Sequence, residues 1–289
     1  MEDIENMNQF NKKELLLHIQ EKYPDFFYSK LSKKTKHAII KEISHFLYKQ
    51  TVPEIQLRLG DCLKEMKEIP NTSVDLILSD LPYGVTKNSW DVVIPLEDLW
   101  KEYTRIIKDN GAIVLFGNQP FTSLLITSNL SMFRYSLVWS KNKFSDFLNA
   151  NKKPMKIHED IVIFYKQQPV YNIQYTFSTP YVRWNKQTAI DKQTNYNNYN
   201  ETVTTNDDGK RLPTTVLQFN RVERPIHPTQ KPVDLLEWII KTYSNEHDIV
   251  LDSCMGVGST GVACRNTKRK FIGIEIEPQY FQQAELALS

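Results

Sequence analysis

The chain has 289 residues, with 36 lysines and arginines against 34 aspartates and glutamates, and a formal net charge of +2. This length allows one large α/β domain with a smaller attachment, and 40% hydrophobic residues is ordinary for a globular protein. No apolar run approaches the roughly 20 residues that span a bilayer, and the acidic N-terminus lacks a signal-peptide core. We therefore expect a cytoplasmic protein without membrane association.

The cysteines and the distribution of charge further restrict the class of protein. The three cysteines, Cys62, Cys254 and Cys264, show neither metal-ligand spacing nor a disulfide framework. They predict a reduced protein with no metal site. Lysines cluster within 30–41 and 141–156, where they form either solvated faces or contacts to phosphates.

The first 50 residues predict two helices. Leu15, Leu16 and Ile19 have helical spacing, and a second apolar stripe runs from Ile39 to Leu47. Pro53 ends this pattern. We predict a helical extension over 1–52 and a main domain over 53–289.

In the main domain, short β-rich runs alternate with helical patterns. The predicted strands are Ile55–Leu59, Val74–Ser79, Ala112–Phe116, Tyr135–Trp139, Asp160–Tyr165, Ile249–Asp252 and Phe271–Ile276. The predicted helices cover about 62–68, 96–108, 121–130, 233–244, 259–267 and 278–287. Near-continuous Val, Ile and Leu strands between helices predict an α/β fold with a mostly parallel sheet covered by helices on both faces.

Residues 167–224 interrupt this alternation. The segment is rich in Asn, Gln, Thr and Tyr, includes Asn197 and Asn198, and is poor in periodic apolar residues. One interpretation is a disordered loop. The other is a recognition insert, whose amide and hydroxyl groups would read base edges in a groove.

A glycine-rich turn follows the predicted strand Ile249–Asp252. Gly256, Gly258 and Gly261 match the pattern G-x-G-x-x-G, in which glycines let the backbone approach a ligand closely before a helix begins. Glu275 ends the next strand, near the roughly 20-residue separation expected for an acid that binds ribose hydroxyls. The loop predicts an adenosine-bearing cofactor, either NAD or S-adenosyl-L-methionine.

The segment Asp80-Leu81-Pro82-Tyr83 directly follows the apolar run Val74–Ser79. An exocyclic base amine is a poor nucleophile because its lone pair is delocalised into the ring. Asp80 and the Leu81 carbonyl would each accept one N–H of such an amine, Pro82 stiffens the turn, and Tyr83 offers a ring on which an extruded base stacks. Since hydride transfer requires no such segment, it favours S-adenosyl-L-methionine over NAD. The alternative for the tetrapeptide alone is a strand that ends in a proline turn.

With both segments in this order, the chain resembles the β-class DNA amino-methyltransferases, especially the phage and bacterial N6-adenine enzymes. The resemblance covers about 55–166 and 212–285. It implies a Rossmann-like methyltransferase domain with circularly permuted motifs, which uses S-adenosyl-L-methionine and acts on double-stranded DNA. It also implies a cofactor site formed by Asp61, His227, Thr229, Lys231, Asp252, Cys254, Met255, Gly256, Gly258 and Glu275. Trp139-Ser140-Lys141 and His158-Glu159 fall where the family keeps blocks beside the target base and the DNA backbone, and Lys143 is a further candidate for contact with DNA.

Two departures from the family pattern concern the site itself. Leu81 replaces the usual proline, which leaves the backbone carbonyl in place. Cys254 replaces a common phenylalanine in the cofactor loop and removes one packing contact.

Several alternatives remain open at this stage. Cytosine-N4 enzymes often begin the tetrapeptide with serine, whereas Asp80 holds that position here, so we favour adenine N6. Methylation of cytosine C5 needs a cysteine after a proline, which the chain lacks. A non-catalytic DNA-binding protein that retains the fold is a further alternative. A cognate restriction endonuclease as partner and a monomeric or homodimeric state are not decided by the sequence.

Overall fold

The computed structural model describes residues 10–22, 34–41, 54–84, 91–185, 202–206 and 208–289. The chain divides into two compact units, Met1–Glu54 and Ile55–Ser289. No helix among the described residues is long and apolar enough to cross a membrane.

In the first unit, helix α1 (Lys12–Lys22) buries Leu15, Leu16 and Ile19. Asn11 caps its start, because the Asn11 side-chain oxygen accepts hydrogen bonds from the backbone of Lys13 and Glu14. Residues 36–41 are also helical and bury Ile39. The rest of the second predicted apolar stripe, Ile43, Phe46 and Leu47, lies outside the described residues.

The second unit is built on one large sheet. The strands are β1 (Ile55–Leu59), β2 (Val74–Ser79), β3 (Ile107–Gly117), β4 (Phe133–Ser145), β5 (Lys156–Phe164), β6 (Thr176–Phe177), β7 (Tyr181–Asn185), β8 (Thr202–Asn206), β9 (Lys210–Arg211), β10 (Val216–Gln218), β11 (Ile249–Asp252) and β12 (Lys270–Glu275). Eight of them form a sheet in the order β1-β12-β11-β2-β3-β5-β4-β10. All neighbouring pairs are parallel except β3/β5 and β4/β5, so β5 alone runs against the others in this sheet.

Helices cover both faces of the sheet. They are α2 (Cys62–Glu65), α3 (Leu96–Ile106), α4 (Phe121–Ser128), α5 (Val233–Tyr243), α6 (Ser259–Asn266) and α7 (Pro278–Leu288), with short 3-10 helices at Met66–Glu68 and Phe147–Asn149. Successive residues of β2 alternate between two cores. Ile77 packs with α3 and α4 in one core, and Leu78 packs with α5 and α6 in the other. Complete burial of one such side chain, in either core, stabilises the fold by about 1.5–3 kcal/mol.

The predicted fold class is confirmed, and most predicted elements lie within a few residues of the observed ones. Three strands are longer than predicted: β3 begins at Ile107, β4 extends to Ser145, and β5 begins at Lys156. Strand β10 was not predicted, because three residues are too few for a visible period of two. It extends the sheet by pairing in parallel with β4, Val216 beside Val138.

Within 167–224 the described residues contain regular structure. Strands β6 and β9 form one two-stranded antiparallel sheet, and β7 and β8 form another. For the described part of this segment, the interpretation as a disordered loop is therefore wrong. Asn197 and Asn198 lie outside the described residues.

The parallel arrangement gathers the candidate site. Strands β1, β12, β11 and β2 are neighbours and run in the same direction, so their carboxyl ends meet at one edge of the sheet. Asp61, Glu275, Asp252 and Asp80 end or follow these strands. The topology thus brings together residues that lie up to about 200 positions apart in the chain.

Candidate active site

A cavity of about 410 Å³ opens at this edge of the sheet. Its walls contain the whole tetrapeptide Asp80–Tyr83, the glycine turn and the ends of β1 and β12. The predicted site residues that line it are Asp61, Asp80, Leu81, Pro82, Tyr83, His227, Thr229, Lys231, Asp252, Cys254, Met255, Gly256 and Glu275. Gly258 is not among the lining residues; it adopts φ +80° at the start of α6, where it packs against Ala284.

At one end of the cavity, Glu275 holds the glycine turn in place. Its Oε2 accepts the backbone N–H of Gly256 at 2.8 Å, and its Oε1 accepts that of Glu277 at 2.8 Å. Burial raises the pKa of Glu275, and the backbone donors oppose this change. A Cβ atom on Gly256 would meet only His227 at 4.0 Å, so the turn leaves open space on its cavity side.

Asp252 holds the loop after β11 in place at the same end of the cavity. It is 3% exposed and accepts hydrogen bonds from Ser79 Oγ, Thr260 Oγ1 and the Cys254 N–H at 2.6–3.1 Å. Burial raises its pKa to about 6. These contacts join the ends of β2 and β11 to the start of α6, so Asp252 shapes the loop.

The remaining residues predicted for the cofactor line this end of the cavity. Asp61 Oδ1 accepts from the backbone N–H of Lys64 and caps α2. His227 packs edge-on against the Tyr280 ring at 4.3 Å, and its Nδ1 is 3.0 Å from the Thr229 hydroxyl. Met255 is buried beneath the turn.

Cys254 and Cys62 both line the same end of the cavity. A hydrogen bond with the Cys62 thiol and burial raise the pKa of Cys254 well above its ordinary value. Cys254 is therefore a neutral thiol, and its side chain presents an apolar surface to a ligand.

At the other end, both oxygens of the Asp80 carboxylate are engaged. The Tyr83 hydroxyl donates to Oδ1 at 2.6 Å, and the ammonium of Lys231 contacts Oδ2. The Tyr83 ring stacks on Phe121, with 4.9 Å between centroids and 27° between planes. Burial and the nearby carboxylates of Asp80 and Glu159 raise the pKa of Tyr83, so the phenol stays protonated.

Lys231, which we predicted beside the cofactor, lies against the catalytic segment. Its side chain is 7% exposed, its ammonium is 4.9 Å from the Phe116 ring centre, and it lies 3.4 Å from Glu159 Oε2. Burial alone would lower the pKa of Lys231, but the two carboxylates outweigh it and raise this pKa. Lys231 is therefore a buried, charged ammonium.

Glu159 completes this charged group. Its Oε1 pairs with the Lys141 ammonium, and Lys141 also lies over the Trp139 ring at 4.5 Å. Burial would raise the pKa of Glu159, but Lys231 and Lys141 together lower it to about 2. The carboxylate is ionised at any working pH.

The structure corrects two of the predicted DNA contacts. Trp139 is 2% exposed, and its indole N–H donates to the Phe219 carbonyl, so it is a core residue. The side chain of Lys141 is 8% exposed and paired with Glu159, so it is not available to a phosphate. Lys143 and His158 are exposed, as those predictions require.

Sequence reasoning missed the partners of the tetrapeptide. Glu159 was noted only as part of a family block, and Phe121 was not singled out. Neither carries a local signal, because Phe121 reaches Tyr83, and Glu159 reaches Asp80 by way of Lys231, only in the folded chain. Strand β5 runs antiparallel to its neighbours, so its first residues, including Glu159, lie at the same edge of the sheet as Asp80. This placement was the available clue to Glu159. Among the described residues, no cluster of side chains could hold a metal ion.

The fold and the cavity together define an α/β enzyme class that binds a nucleotide-like cofactor at the carboxyl ends of parallel strands. Comparison with known proteins identifies the family. The chain belongs to the DNA methylase family of N6/N4 methyltransferases, whose model matches residues 74–286.

Individual relatives agree with this assignment. The chain is 32% identical over 240 residues to the DNA adenine methyltransferase YhdJ of Escherichia coli (strain K12), covering 77% of this chain and 79% of that protein. It is 31% identical over 257 residues to the type II methyltransferase M.BglII of Bacillus subtilis, covering 80% and 68%. The crystal structure of the M1.HpyAVI–SAM complex superposes with a TM-score of 0.56 at 27% identity, covering 80% of this chain and 98% of that one.

Proposed function

We propose that this protein transfers a methyl group from S-adenosyl-L-methionine to N6 of an adenine flipped out of double-stranded DNA. One observation carries the proposal: the Asp80 carboxylate, the Tyr83 ring and the glycine turn with Glu275 line the same cavity. The resemblance to a relative named as a DNA adenine methyltransferase supports it.

The residues at the Glu275 end fit S-adenosyl-L-methionine. A volume of about 410 Å³ lies within the usual range for a small-molecule site. Glu275 has lone pairs left for ribose hydroxyls, and Ile276, which is 55% exposed, supplies an apolar surface beside it. The open side of Gly256 gives space for close approach. When bound, the cofactor supplies an electrophilic methyl group on its sulfonium.

In this proposal the Asp80 end handles the acceptor base. Asp80 accepts one N–H of the amine, the carbonyl of Leu81 accepts the other, and the two contacts direct the nitrogen lone pair toward the methyl group. The Tyr83 ring, backed by Phe121, stacks on the base. Pro82 fixes the turn that holds these groups.

The geometry of Ser79 favours adenine over cytosine N4 in this proposal. Ser79 is 1% exposed and its hydroxyl donates to Asp252, so a serine does not present its side chain to the base. Ser79 and Asp80 both border the cavity, but Asp80 is the more exposed of the two, with 19% of its side chain exposed. The structure of the cytosine-N4-specific PvuII methyltransferase, at 16% identity and a TM-score of 0.61, resembles this chain in fold alone.

The proposal extends to the rest of the chain. The domain over 53–289 carries the reaction, and the insert at 167–224 contacts the DNA sequence, with exposed Lys143 and His158 near the backbone. Two relatives, M.HpaI and M.BglII, are named type II methyltransferases. By analogy we include a cognate restriction endonuclease as a second partner, and a monomer or homodimer as the active state.

The test is to incubate purified protein with S-adenosyl-L-methionine and unmethylated plasmid DNA, and to analyse the nucleosides by mass spectrometry. We expect N6-methyldeoxyadenosine. N4-methyldeoxycytidine would overturn the choice of base. Absence of any methylated nucleoside, with cofactor still bound in a calorimetric titration, would overturn DNA methylation and favour the non-catalytic alternative.

A further inference from the structure

Four charged side chains of alternating sign extend from Asp80 into the protein. Lys231 lies between Asp80 and Glu159, and Lys141 lies on the far side of Glu159. The three side chains behind Asp80 are only 7%, 16% and 8% exposed. Burying several charges is costly, and apolar side chains of similar size would stabilise a core as well or better. A role in the reaction is the alternative reason to keep them.

The contacts of Asp80 create a conflict with its proposed task. Lys231 contacts Oδ2, and the Tyr83 hydroxyl occupies a lone pair of Oδ1. An ammonium held on the carboxylate neutralises much of the charge that would attract an amine N–H. It also lies near the nitrogen that becomes positive as the methyl group arrives, and like charges repel strongly in a buried site.

Glu159 offers the ammonium another place. Its Oε2 is buried and receives no hydrogen bond from any described residue, although Lys231 Nζ is 3.4 Å away. A charge-assisted hydrogen bond has a length of about 2.8 Å, so a shift of about 0.6 Å would complete one. Lys141 holds Oε1 and thereby keeps Oε2 directed at Lys231.

We propose that Glu159 is a positioning residue that takes the Lys231 ammonium from Asp80 when the amino group of the base binds. This proposal rests on the proposed function and deepens it. Lys231 keeps all three protons throughout, and no bond other than a hydrogen bond is made or broken in the exchange. The Asp80 oxygen that Lys231 leaves becomes the acceptor for the amine.

The exchange explains why Lys231 contacts two carboxylates unequally. With one carboxylate it would be a fixed ion pair, whereas the second, longer contact gives the ammonium a place to move to when the base binds. The ring of Phe116 beneath the ammonium, at 4.9 Å, favours the cation in either position. Glu159 therefore acts through Lys231 and does not touch the base.

The kinetic test compares Glu159→Gln, Lys231→Met and the double variant with wild type on unmethylated plasmid DNA. Glu159→Gln removes the second carboxylate, so Lys231 stays on Asp80. We expect kcat to fall at least about tenfold while the Kd for S-adenosyl-L-methionine stays within about twofold. Adding Lys231→Met removes the obstructing ammonium, so the double variant should be faster than Glu159→Gln. Glu237→Gln, which breaks the surface pair with Lys241, is the matched control and should keep the wild-type rate.

A second measurement needs no activity. Urea unfolding of the same variants gives the coupling between positions 159 and 231, and we expect at least about a fivefold departure from additivity in the unfolding equilibrium constant. A wild-type rate for Glu159→Gln would overturn the proposal, and so would a double variant whose loss equals the product of the single losses. Additive unfolding would overturn the pairing itself. A wild-type protein that forms no methylated nucleoside would refute the proposed function and with it the exchange during transfer, whereas the unfolding result would still decide the pairing.

Discussion

The two ends of the cavity are organised by different kinds of contact. At the Glu275 end, a carboxylate accepts backbone N–H groups of the glycine turn, and Asp252 accepts from hydroxyls and one backbone N–H. At the Asp80 end, charged side chains from four separate parts of the chain pair with one another. The first end is a fixed backbone cradle, while the second depends on long side chains that can change partners.

This difference extends to the protonation of the buried acids. Asp252 has no cation among its hydrogen-bond partners, and burial raises its pKa to about 6. Glu159 is similarly buried, yet Lys231 and Lys141 lower its pKa to about 2. The pKa values of two carboxyl groups in one site are thus shifted in opposite directions. Asp252 has uncharged hydrogen-bond donors around it, whereas Glu159 has two charged ammonium groups.

The largest expected effect separates the two ends directly. Asp80→Ala removes the acceptor for the amine at one end and leaves the glycine turn untouched at the other. We expect methyl transfer to plasmid DNA to fall about 100- to 1000-fold, the size of effect seen when one preorganised polar group is lost from an active site. The Kd for S-adenosyl-L-methionine, measured by calorimetry, should change less than about twofold. A normal rate for this variant would show that Asp80 does not hold the amine.

The second prediction uses the opposite pKa shifts. Raising the pKa of Asp252 from 3.8 to about 6 makes ionisation costly in the folded state, so about 3 kcal/mol of stability is present at low pH and is lost as pH rises from about 4 to about 6. Lowering the pKa of Glu159 from 4.5 to about 2 has the opposite sign. Its stabilising contribution is present above about pH 4.5 and is lost as pH falls toward 2.

Urea unfolding across pH checks both signs. Relative to wild type, Asp252→Asn should become more stable as pH rises from 4 to 6, whereas Glu159→Gln should become less stable as pH rises from 2 to 4.5. Glu285→Gln, on the exposed face of α7, serves as the control. Parallel pH profiles for Asp252→Asn and Glu159→Gln would contradict the contrast between the two ends.

The third prediction tests the contacts of Glu275 with the glycine turn. Glu275→Ala leaves the N–H groups of Gly256 and Glu277 without their acceptor and removes the carboxylate proposed to bind the ribose. Hydrogen bonds to a charged group contribute about 1.5–3 kcal/mol, so we expect S-adenosyl-L-methionine to bind about 10- to 100-fold more weakly. Glu285→Ala should bind it normally. Unchanged affinity in a titration of Glu275→Ala would remove this residue from the cofactor site.

The smallest effect distinguishes two glycines of the turn. Gly258 has φ +80°, and a Cβ atom there would lie 3.0 Å from Ala284 Cβ, so Gly258→Ala should lower the free energy of unfolding by about 1–3 kcal/mol. Gly256 also has a positive φ, +53°, but its Cβ would meet only His227 at 4.0 Å. Gly256→Ala should therefore cost less in urea unfolding. The reverse order would mean that close packing against α7 is not what requires glycine at 258.

The same contrast explains what the sequence could and could not predict. Asp252 and Glu275 end two consecutive strands, and Gly256 lies in the turn after the first of them; all three fall within 24 residues, so their spacing carries the pattern of a cofactor loop. The tetrapeptide Asp80–Tyr83 is likewise local. The link from Lys231 to Glu159 and Asp80 joins three distant parts of the chain, and only the sheet order β2-β3-β5 brings them together. The burial of Trp139 was missed for a related reason, since β10, which pairs beside it, and Phe219, whose carbonyl accepts its N–H, have no visible pattern of their own.

The order of strands in the sheet has a consequence for synthesis of the chain. Strands β11 and β12, made last, insert between β1 and β2, which are made first. Until β11 and β12 have been synthesised, β1 and β2 each keep an open edge with unpaired N–H and C=O groups, the kind of edge that pairs with other chains. A product that stops before β11 would therefore expose these edges to aggregation, and it would lack the glycine turn and Glu275 that line the cavity.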